Sequence, residues 1–211
     1  MSNDAQETGA ARENLCRFLA ACYYQPGPEF AEEKIFDSMR DAATRIHPEL
    51  AATAHRLGEE FSADGLDGLL LDYARLFLGP NHIIAKPYGS AWTGREKTLM
   101  QESTLAVQEL YAESGFEIDE DFRELPDHIA AELEFLYLLI YRGNAARRDD
   151  DLESLTATAR LRKRFLDEHL GSWVGPFTAA VRAGAQSGFY RELAALTDRF
   201  VNMEAGADKA S

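Results

Sequence analysis

Residues 124–128 (Glu-Leu-Pro-Asp-His) and Glu132 form the most reactive group of side chains in the sequence. His128 and Glu132 are four residues apart, a spacing that places two side chains on one helix face within hydrogen-bonding reach. Asp127 falls in the predicted first turn, where the helix dipole favours an ionised carboxylate. A histidine beside carboxylates can bind a metal ion or act as a general base. An acidic helix start explains the same pattern without chemistry, so both interpretations stay open.

Other motifs of catalysis or cofactor binding are absent from the sequence. It contains no H-E-x-x-H, no G-x-S-x-G and no glycine-rich phosphate loop. The remaining histidines supply no third metal ligand at a diagnostic spacing, and Cys16 and Cys22 form no redox motif. A metal-dependent hydrolase that uses His128 and Glu132 therefore remains only an alternative.

A second candidate site is the irregular stretch 78–94, which is rich in proline and glycine. Loops of this length inside compact domains are usually functional or disordered, and the aromatic residues Tyr88 and Trp92 argue against disorder. Aromatic residues beside prolines on an acidic protein are typical of a peptide-binding surface. Tyr88 and Trp92 can equally be core residues beneath a long loop, and the sequence favours neither interpretation.

Composition and charge limit the possible partners. The chain has 211 residues, of which 45% are hydrophobic, and its 22 basic and 36 acidic residues give a net charge of −14. This excludes wholesale disorder, argues against nucleic acid or an anionic membrane surface as partner, and favours a basic partner. No apolar stretch approaches the ~20 residues that cross a bilayer, and the N-terminus has no secretory signal. We therefore expect a soluble, cytoplasmic protein without membrane insertion.

Helical periodicity predominates along the chain, and no strand pattern or internal repeat accompanies it. The sequence predicts an all-α fold, a single globular bundle of about nine helices. The predicted domain covers 12–203 between flexible tails at 1–11 and 204–211, with two lobes conceivable around 78–94. The predicted helices are 15–23, 30–40, 48–61, 66–77, 95–114, 126–142, 149–169, 172–183 and 189–203.

Several motifs occur in an order that is similar to one known family. They are residues 73–80 (Tyr-Ala-Arg-Leu-Phe-Leu-Gly-Pro), 87–92 (Pro-Tyr-Gly-Ser-Ala-Trp), 102–108, 124–135, 165–173 and 189–193. Over roughly residues 12–202 the chain resembles the TorD/DmsD family of redox-enzyme maturation chaperones. The family's usual Glu-Pro-Asp-His has one extra residue here, Leu125.

This resemblance implies an all-helical chaperone with no catalytic residues, no metal site and no cofactor of its own. Such a protein binds the twin-arginine signal peptide and the mature region of a molybdopterin-containing oxidoreductase subunit of the dimethyl-sulfoxide-reductase class. It assists cofactor insertion and delays export until folding is complete. Weak GTP binding is associated with some members. The resemblance assigns leader binding to Tyr88, Ser90, Trp92, Pro126, Asp127 and His128.

The chemistry of the residues agrees with that mechanism. Arginine pairs best with a carboxylate through two parallel hydrogen bonds, so Asp127 is the predicted partner of a leader arginine. Glu132 or the acidic stretch 117–124 would add a secondary electrostatic attraction. Tyr88 and Trp92 offer apolar area and a ring face for a guanidinium. Two further interpretations stay open: a structural role for these residues, and an assembly scaffold that makes no leader contact. A monomer and a domain-swapped homodimer are both compatible with the sequence.

Overall fold

The computed structural model describes residues 3–32, 34–79, 82–93, 102–117 and 123–207. Within these ranges the protein is built of helices, with no β-strand, and the predicted all-α fold is confirmed. The helices are α1 (Asn3–Ala21), α2 (Glu29–Glu32), α3 (Ile35–Ile46), α4 (Pro48–Tyr73), a π-helical segment (Ala74–Leu78), α5 (Ser90–Thr93), α6 (Glu102–Glu113), α7 (Ile129–Arg148), α8 (Leu152–Glu168), α9 (Leu170–Gly184) and α10 (Gly188–Ala207). None of these helices is long and apolar enough to cross a membrane.

Helix α7 lies at the centre of the fold, with buried residues along its whole length. A helix that is apolar on most sides is stable only when other helices cover it, and α1 and α8 both pack against α7. The predicted end at residues 143–144 is wrong, because α7 continues to Arg148. Gly143 is buried within the helix, where an added Cβ would lie 3.8 Å from Thr158 of α8. A Cβ at this distance would make only an ordinary van der Waals contact, so Gly143 lies inside the helix without ending it.

The two predicted tails belong largely to helices. Residues 3–11 form the first half of α1, where Ala11 is buried. Helix α10 extends to Ala207, and Glu204 within it is fully buried. The Arg12 Nε donates to the Glu204 carboxylate at 2.6 Å, which joins the two helices. Hydropathy does not reveal such ion pairs, so the polar sequences at both ends of the chain resembled flexible tails. Residues 208–211 lie outside the described ranges.

The predicted break at residues 64–65 is confirmed inside α4. Gly65 has φ 67° and ψ 161°, which interrupts the helical path; glycine adopts such a φ without the steric cost of a Cβ. After Tyr73 the chain widens into the π-helical segment and leaves it at Gly79, with φ 35°. The Leu76 carbonyl then accepts the Ala85 amide at 3.0 Å, which directs the following chain towards α7. Within the described part of the stretch 78–94, residues 90–93 form the short helix α5.

Asp72 attaches the end of α4 to the turn between α9 and α10. Its Oδ2 accepts hydrogen bonds from the amides of Gln186 and Ser187, at 3.0 and 2.9 Å, and from the Ser187 hydroxyl at 2.7 Å. Its Oδ1 accepts from Arg75, which also donates to the Gly184 carbonyl. Both oxygens of this buried carboxylate are thus satisfied.

The predicted helix 95–114 is present as α6 from residue 102, and its earlier part lies outside the described ranges.

Candidate functional site

The loop 87–93 is joined directly to the start of α7. The Gly89 amide donates to the Asp127 carbonyl at 2.9 Å, and the Ile129 amide donates to the Pro87 carbonyl at 2.8 Å. Tyr88 and His128 face each other as an isolated antiparallel bridge. The two predicted candidate sites are therefore one site, in which the loop and the helix start hold each other in place.

Asp127 is buried beneath this loop. Only 1% of its surface is exposed, and its Oδ2 accepts the Ser90 amide at 2.7 Å. Among the described residues its Oδ1 has no hydrogen-bond partner, and neither does the Ser90 hydroxyl. Asp127 precedes α7 rather than lying in its first turn. A guanidinium can reach this carboxylate only after the loop moves, so the direct Asp127–arginine pair stays a prediction.

His128 is the N-cap of α7. Its Nδ1 accepts the Ala130 amide at 3.2 Å, which satisfies one of the amides that a helix start leaves unpaired. The ring lies 5.3 Å from Tyr88 and 6.4 Å from Tyr24, measured between ring centroids. Burial lowers the pKa of His128 from 6.5 to about 4, although Glu124 and Asp127 oppose that shift. His128 is consequently neutral at physiological pH and structural in this arrangement.

Glu132 is buried on the far side of the site, with 1% of its surface exposed. Its Oε2 accepts the indole Nε1 of Trp173, from α9, at 3.1 Å. Burial raises the pKa of Glu132 well above its ordinary value, and the nearby Asp127 adds to that shift. No group of three or more His, Cys, Asp or Glu side chains suited to a metal ion occurs in the part of the chain that the structure describes.

Trp92 and Pro126 form the flanks of the site. The Trp92 indole is half-buried, donates to the Lys86 carbonyl at 2.8 Å and lies 6.2 Å from the Phe177 ring. The Pro126 carbonyl accepts the Tyr111 hydroxyl of α6 at 3.1 Å. Trp92 is therefore partly a core residue and partly a surface residue, which combines the two interpretations that the sequence left open.

The outer edge of the site consists of tyrosines and carboxylates, and we call Tyr24, Tyr73, Tyr88, Glu124 and Glu134 the tyrosine rim. The Tyr88 hydroxyl donates to Glu124, and the Tyr24 hydroxyl donates to Glu134 at 2.8 Å. Burial and the Glu124 charge raise the pKa of Tyr73 to about 12. Within the described residues, no lysine or arginine forms a salt bridge with either carboxylate.

Sequence reasoning missed most of this rim. Tyr24 and Tyr73 come from the ends of α1 and α4, and Glu134 comes from the middle of the hydrophobic helix α7. These elements are far apart along the chain, so spacing carried no signal for their meeting. A charged residue within an apolar stretch, as at Glu134, was the one available indication.

A model of the nitrate reductase delta subunit family matches residues 37–179 of the chain, a span that contains the loop, the start of α7 and most of the tyrosine rim. The chain belongs to this family. Relatives include the chaperone protein TorD of Vibrio parahaemolyticus, 29% identical over 64% of this chain and 62% of that protein. TorD of Vibrio atlanticus is 29% identical over 80% of this chain and 71% of that protein. The first match thus spans less than two thirds of its relative's length.

Another relative and one solved structure are also similar to the chain. The Tat proofreading chaperone DmsD of Salmonella typhi is 31% identical over 57% of this chain and 58% of its own length. A crystal structure described as a redox enzyme maturation protein from Archaeoglobus fulgidus covers 90% of this chain and 93% of that chain, with a TM-score of 0.54 and 22% identity. That likeness confirms the helical fold. The TorD/DmsD resemblance is likewise confirmed, and this is a family of chaperones rather than of enzymes.

Proposed function

We propose that this protein is a cytoplasmic maturation chaperone for a molybdopterin-containing oxidoreductase subunit of the dimethyl-sulfoxide-reductase class. It binds the twin-arginine signal peptide and the mature region of that client, and delays export until the cofactor is inserted. Family membership and the names of its relatives support the chaperone activity. The observation that carries leader binding is the tyrosine rim, in which two carboxylates lie beside aromatic rings and form no salt bridge with a lysine or arginine of the described ranges.

The rim has the chemistry that two adjacent arginines require. A guanidinium forms two parallel hydrogen bonds with a carboxylate and stacks on aromatic faces. Glu124 is exposed and Glu134 is half-buried, and each already accepts a tyrosine hydroxyl. A leader arginine at either position would add a positive charge beside a carboxylate that makes no salt bridge within the described residues. Burial raises the pKa of Glu134, and pairing with a guanidinium would lower it again, which makes binding at this residue favourable.

Asp127, Ser90 and His128 act behind the rim in this proposal. Asp127 fixes the loop through the Ser90 amide, and His128 caps α7 beneath Tyr88. The leader arginines meet Glu124 and Glu134 first. The Asp127 Oδ1, which has no partner among the described residues, becomes available to a guanidinium only if the loop opens.

Charge supports the encounter as well as the contact. The net charge of −14 attracts a basic leader over distances up to a Debye length, about 8 Å at physiological ionic strength. We expect the association rate to fall with added salt, whereas the dissociation rate changes little. Weak GTP binding, and a monomeric or domain-swapped state, remain predictions.

The test is calorimetric titration of the protein with a synthetic twin-arginine leader and with a leader in which both arginines are glutamine. We expect the Glu124→Gln/Glu134→Gln protein to bind the arginine leader about thirtyfold more weakly, since each of the two lost charge pairs contributes about 1 kcal/mol and about 1.4 kcal/mol is a factor of ten. The matched control is Glu49→Gln/Glu153→Gln, which removes two exposed carboxylates elsewhere and should change affinity less than about twofold. Equal binding of the two leaders by the parent protein would contradict the proposal.

A pull-down from the source cells identifies the client and examines the scaffold alternative. Recovery of a molybdoenzyme precursor with its leader attached supports leader binding. Recovery of the same enzyme without a leader, at equal yield, favours a scaffold that recognises the mature region alone.

A further inference from the structure

Trp173, from α9, lies directly against the loop 87–93 at Gly89. Its side chain is 1% exposed, and it packs against Phe177 with the ring centroids 5.4 Å apart. A Cβ added at Gly89 would lie 2.9 Å from the indole Nε1 and 3.2 Å from two of its ring carbons. The loop backbone therefore rests on the indole, and a side chain at position 89 would push one of them away.

One hydrogen bond sets the orientation of that indole. The Trp173 Nε1 donates to the Glu132 Oε2 at 3.1 Å, and both groups are buried. A buried N–H that loses its acceptor is left unpaired, which is unfavourable, so the indole is held where this acceptor lies. Among the described residues the Glu132 side chain makes no hydrogen bond to the loop, so its effect on the loop passes through Trp173.

The loop is thus fixed from two sides. Asp127 holds it from the start of α7, through the Ser90 and Gly89 amides, and Trp173 supports it from α9. Tyr88, whose hydroxyl reaches Glu124 in the rim, is the residue immediately before this supported glycine. A small displacement of the indole would consequently move Tyr88.

We infer that Glu132 is a positioning residue for the candidate leader site: its carboxyl oxygen fixes Trp173, which sets the position of the loop 87–93 and of Tyr88. This inference rests on the proposed function for its binding consequence, but its structural part does not. It differs from the expectation that Glu132 attracts arginine through its charge. Glu132 acts through the carboxyl oxygen that accepts the Trp173 N–H, and not through its charge.

The experiment compares Glu132→Gln with Glu132→Leu. Glutamine keeps a carbonyl acceptor and leucine does not, while both remove the ionisable group. Leader affinity is measured by calorimetry, and hydrogen exchange of the Gly89 and Ser90 amides by NMR. We expect Glu132→Gln to stay within about twofold of the parent in both measurements, since the N–H keeps its acceptor. Glu132→Leu should bind the leader about tenfold more weakly and exchange these amides about tenfold faster, as expected for a loop that opens more often.

Two further variants keep the test decisive. Trp173→Phe removes the donor but keeps an aromatic ring, and Gly89→Ala displaces the loop directly; both should reproduce the leucine result. Equal weakening by Glu132→Gln and Glu132→Leu would show that the charge matters and would overturn the inference. Unchanged amide exchange in Glu132→Leu, Trp173→Phe and Gly89→Ala would overturn it too. If the parent protein binds no leader, the proposed function fails, and the exchange comparison still decides the role of Glu132.

Discussion

Two buried aspartates in this protein have opposite hydrogen-bonding environments. Asp72 is 4% exposed and Asp127 is 1% exposed. Asp72 uses both oxygens, with Arg75 on one and with Ser187 and Gln186 on the other. Asp127 uses one oxygen, for the Ser90 amide, and its other oxygen has no hydrogen-bond partner within the described residues.

The Asp72 carboxylate stabilises the fold with both of its oxygens. The Asp127 carboxylate leaves one oxygen able to accept a further hydrogen bond at the site. Burial alone would raise the pKa of Asp72, but its hydrogen bonds with Ser187 and Arg75 hold it below the ordinary value. An unsatisfied buried acceptor costs about 1–3 kcal/mol and calls for a functional explanation. The position of Asp127 beneath the tyrosine rim supplies one: the missing bond is available to a ligand that opens the loop.

Removing Asp72 should have the largest effect on folding. Asp72→Ala leaves the Ser187 hydroxyl, two amides and Arg75 without their acceptor, so we expect a loss of about 3 kcal/mol in the free energy of unfolding. Urea unfolding measures it. Leader affinity of the folded protein should stay within twofold, and a large loss of affinity at unchanged stability would invalidate the contrast with Asp127.

The buried groups next to Asp127 should give opposite pH effects. The pKa of His128 falls from 6.5 to about 4, so only the unfolded chain gains a proton in that window, and stability is lost as the pH falls through it. The pKa of Glu132 is raised well above 4.5, so stability from this group is lost as the pH rises from about 4.5. In the parent protein the two effects partly cancel.

Glu132→Gln should make the effect of His128 on stability larger than in the parent protein, because the opposing effect of Glu132 is removed. We expect the variant to lose up to about 1.4 kcal/mol of stability per unit as the pH falls from 6.5 towards 4. Urea unfolding at several pH values measures this slope. The double variant Glu132→Gln/His128→Asn provides the control and should reduce the slope to what His169 and Glu134 contribute, since burial lowers the pKa of His169 and raises that of Glu134. A Glu132→Gln profile as flat as that of the parent would refute the assignment.

Asp127→Ala should affect function more than folding. It removes one hydrogen bond and also one unsatisfied oxygen, so the loss of stability should be about 1 kcal/mol, well below that of Asp72→Ala. Helicity by circular dichroism should be unchanged. Leader affinity, measured by calorimetry, should fall about tenfold because the loop loses the hydrogen bond from the Ser90 amide to the Asp127 carboxylate. Parent-like affinity would show that Asp127 has no part in the site.

The smallest expected effect belongs to the rim. Tyr88→Phe removes the hydroxyl that donates to Glu124 and keeps the ring, so leader affinity should change by about 0.5 kcal/mol, roughly twofold, in either direction. Tyr88→Ala also removes the ring face and should weaken binding further. Equal affinities of Tyr88→Ala and the parent would exclude a stacking role for this tyrosine.

The sequence predicted the helices well because their apolar residues recur at helical spacing, and it located the break at Gly65 because glycine tolerates positive φ. It misplaced the end of α7 because Gly143 resembles a helix stop, whereas the helix continues to Arg148 with α1 and α8 packed against it. Only the family resemblance joined the loop to the start of α7. Residue types alone gave Asp127 and Glu132 as charged contacts. Burial of a carboxylate depends on partners that are distant in the sequence, such as Trp173, which lies 41 residues from Glu132.

The geometry of the site depends on the number of residues in the π-helical segment that precedes the loop. Each residue in an α-helix turns the chain by about 100°, so a deletion between Ala74 and Leu78 would rotate the exit at Gly79 by about that angle. Tyr73 would stay in the rim while Tyr88 was carried away from it. Evolution can exchange side chains in this segment more readily than it can lengthen or shorten it, and alignment gaps among functional relatives should avoid these five positions.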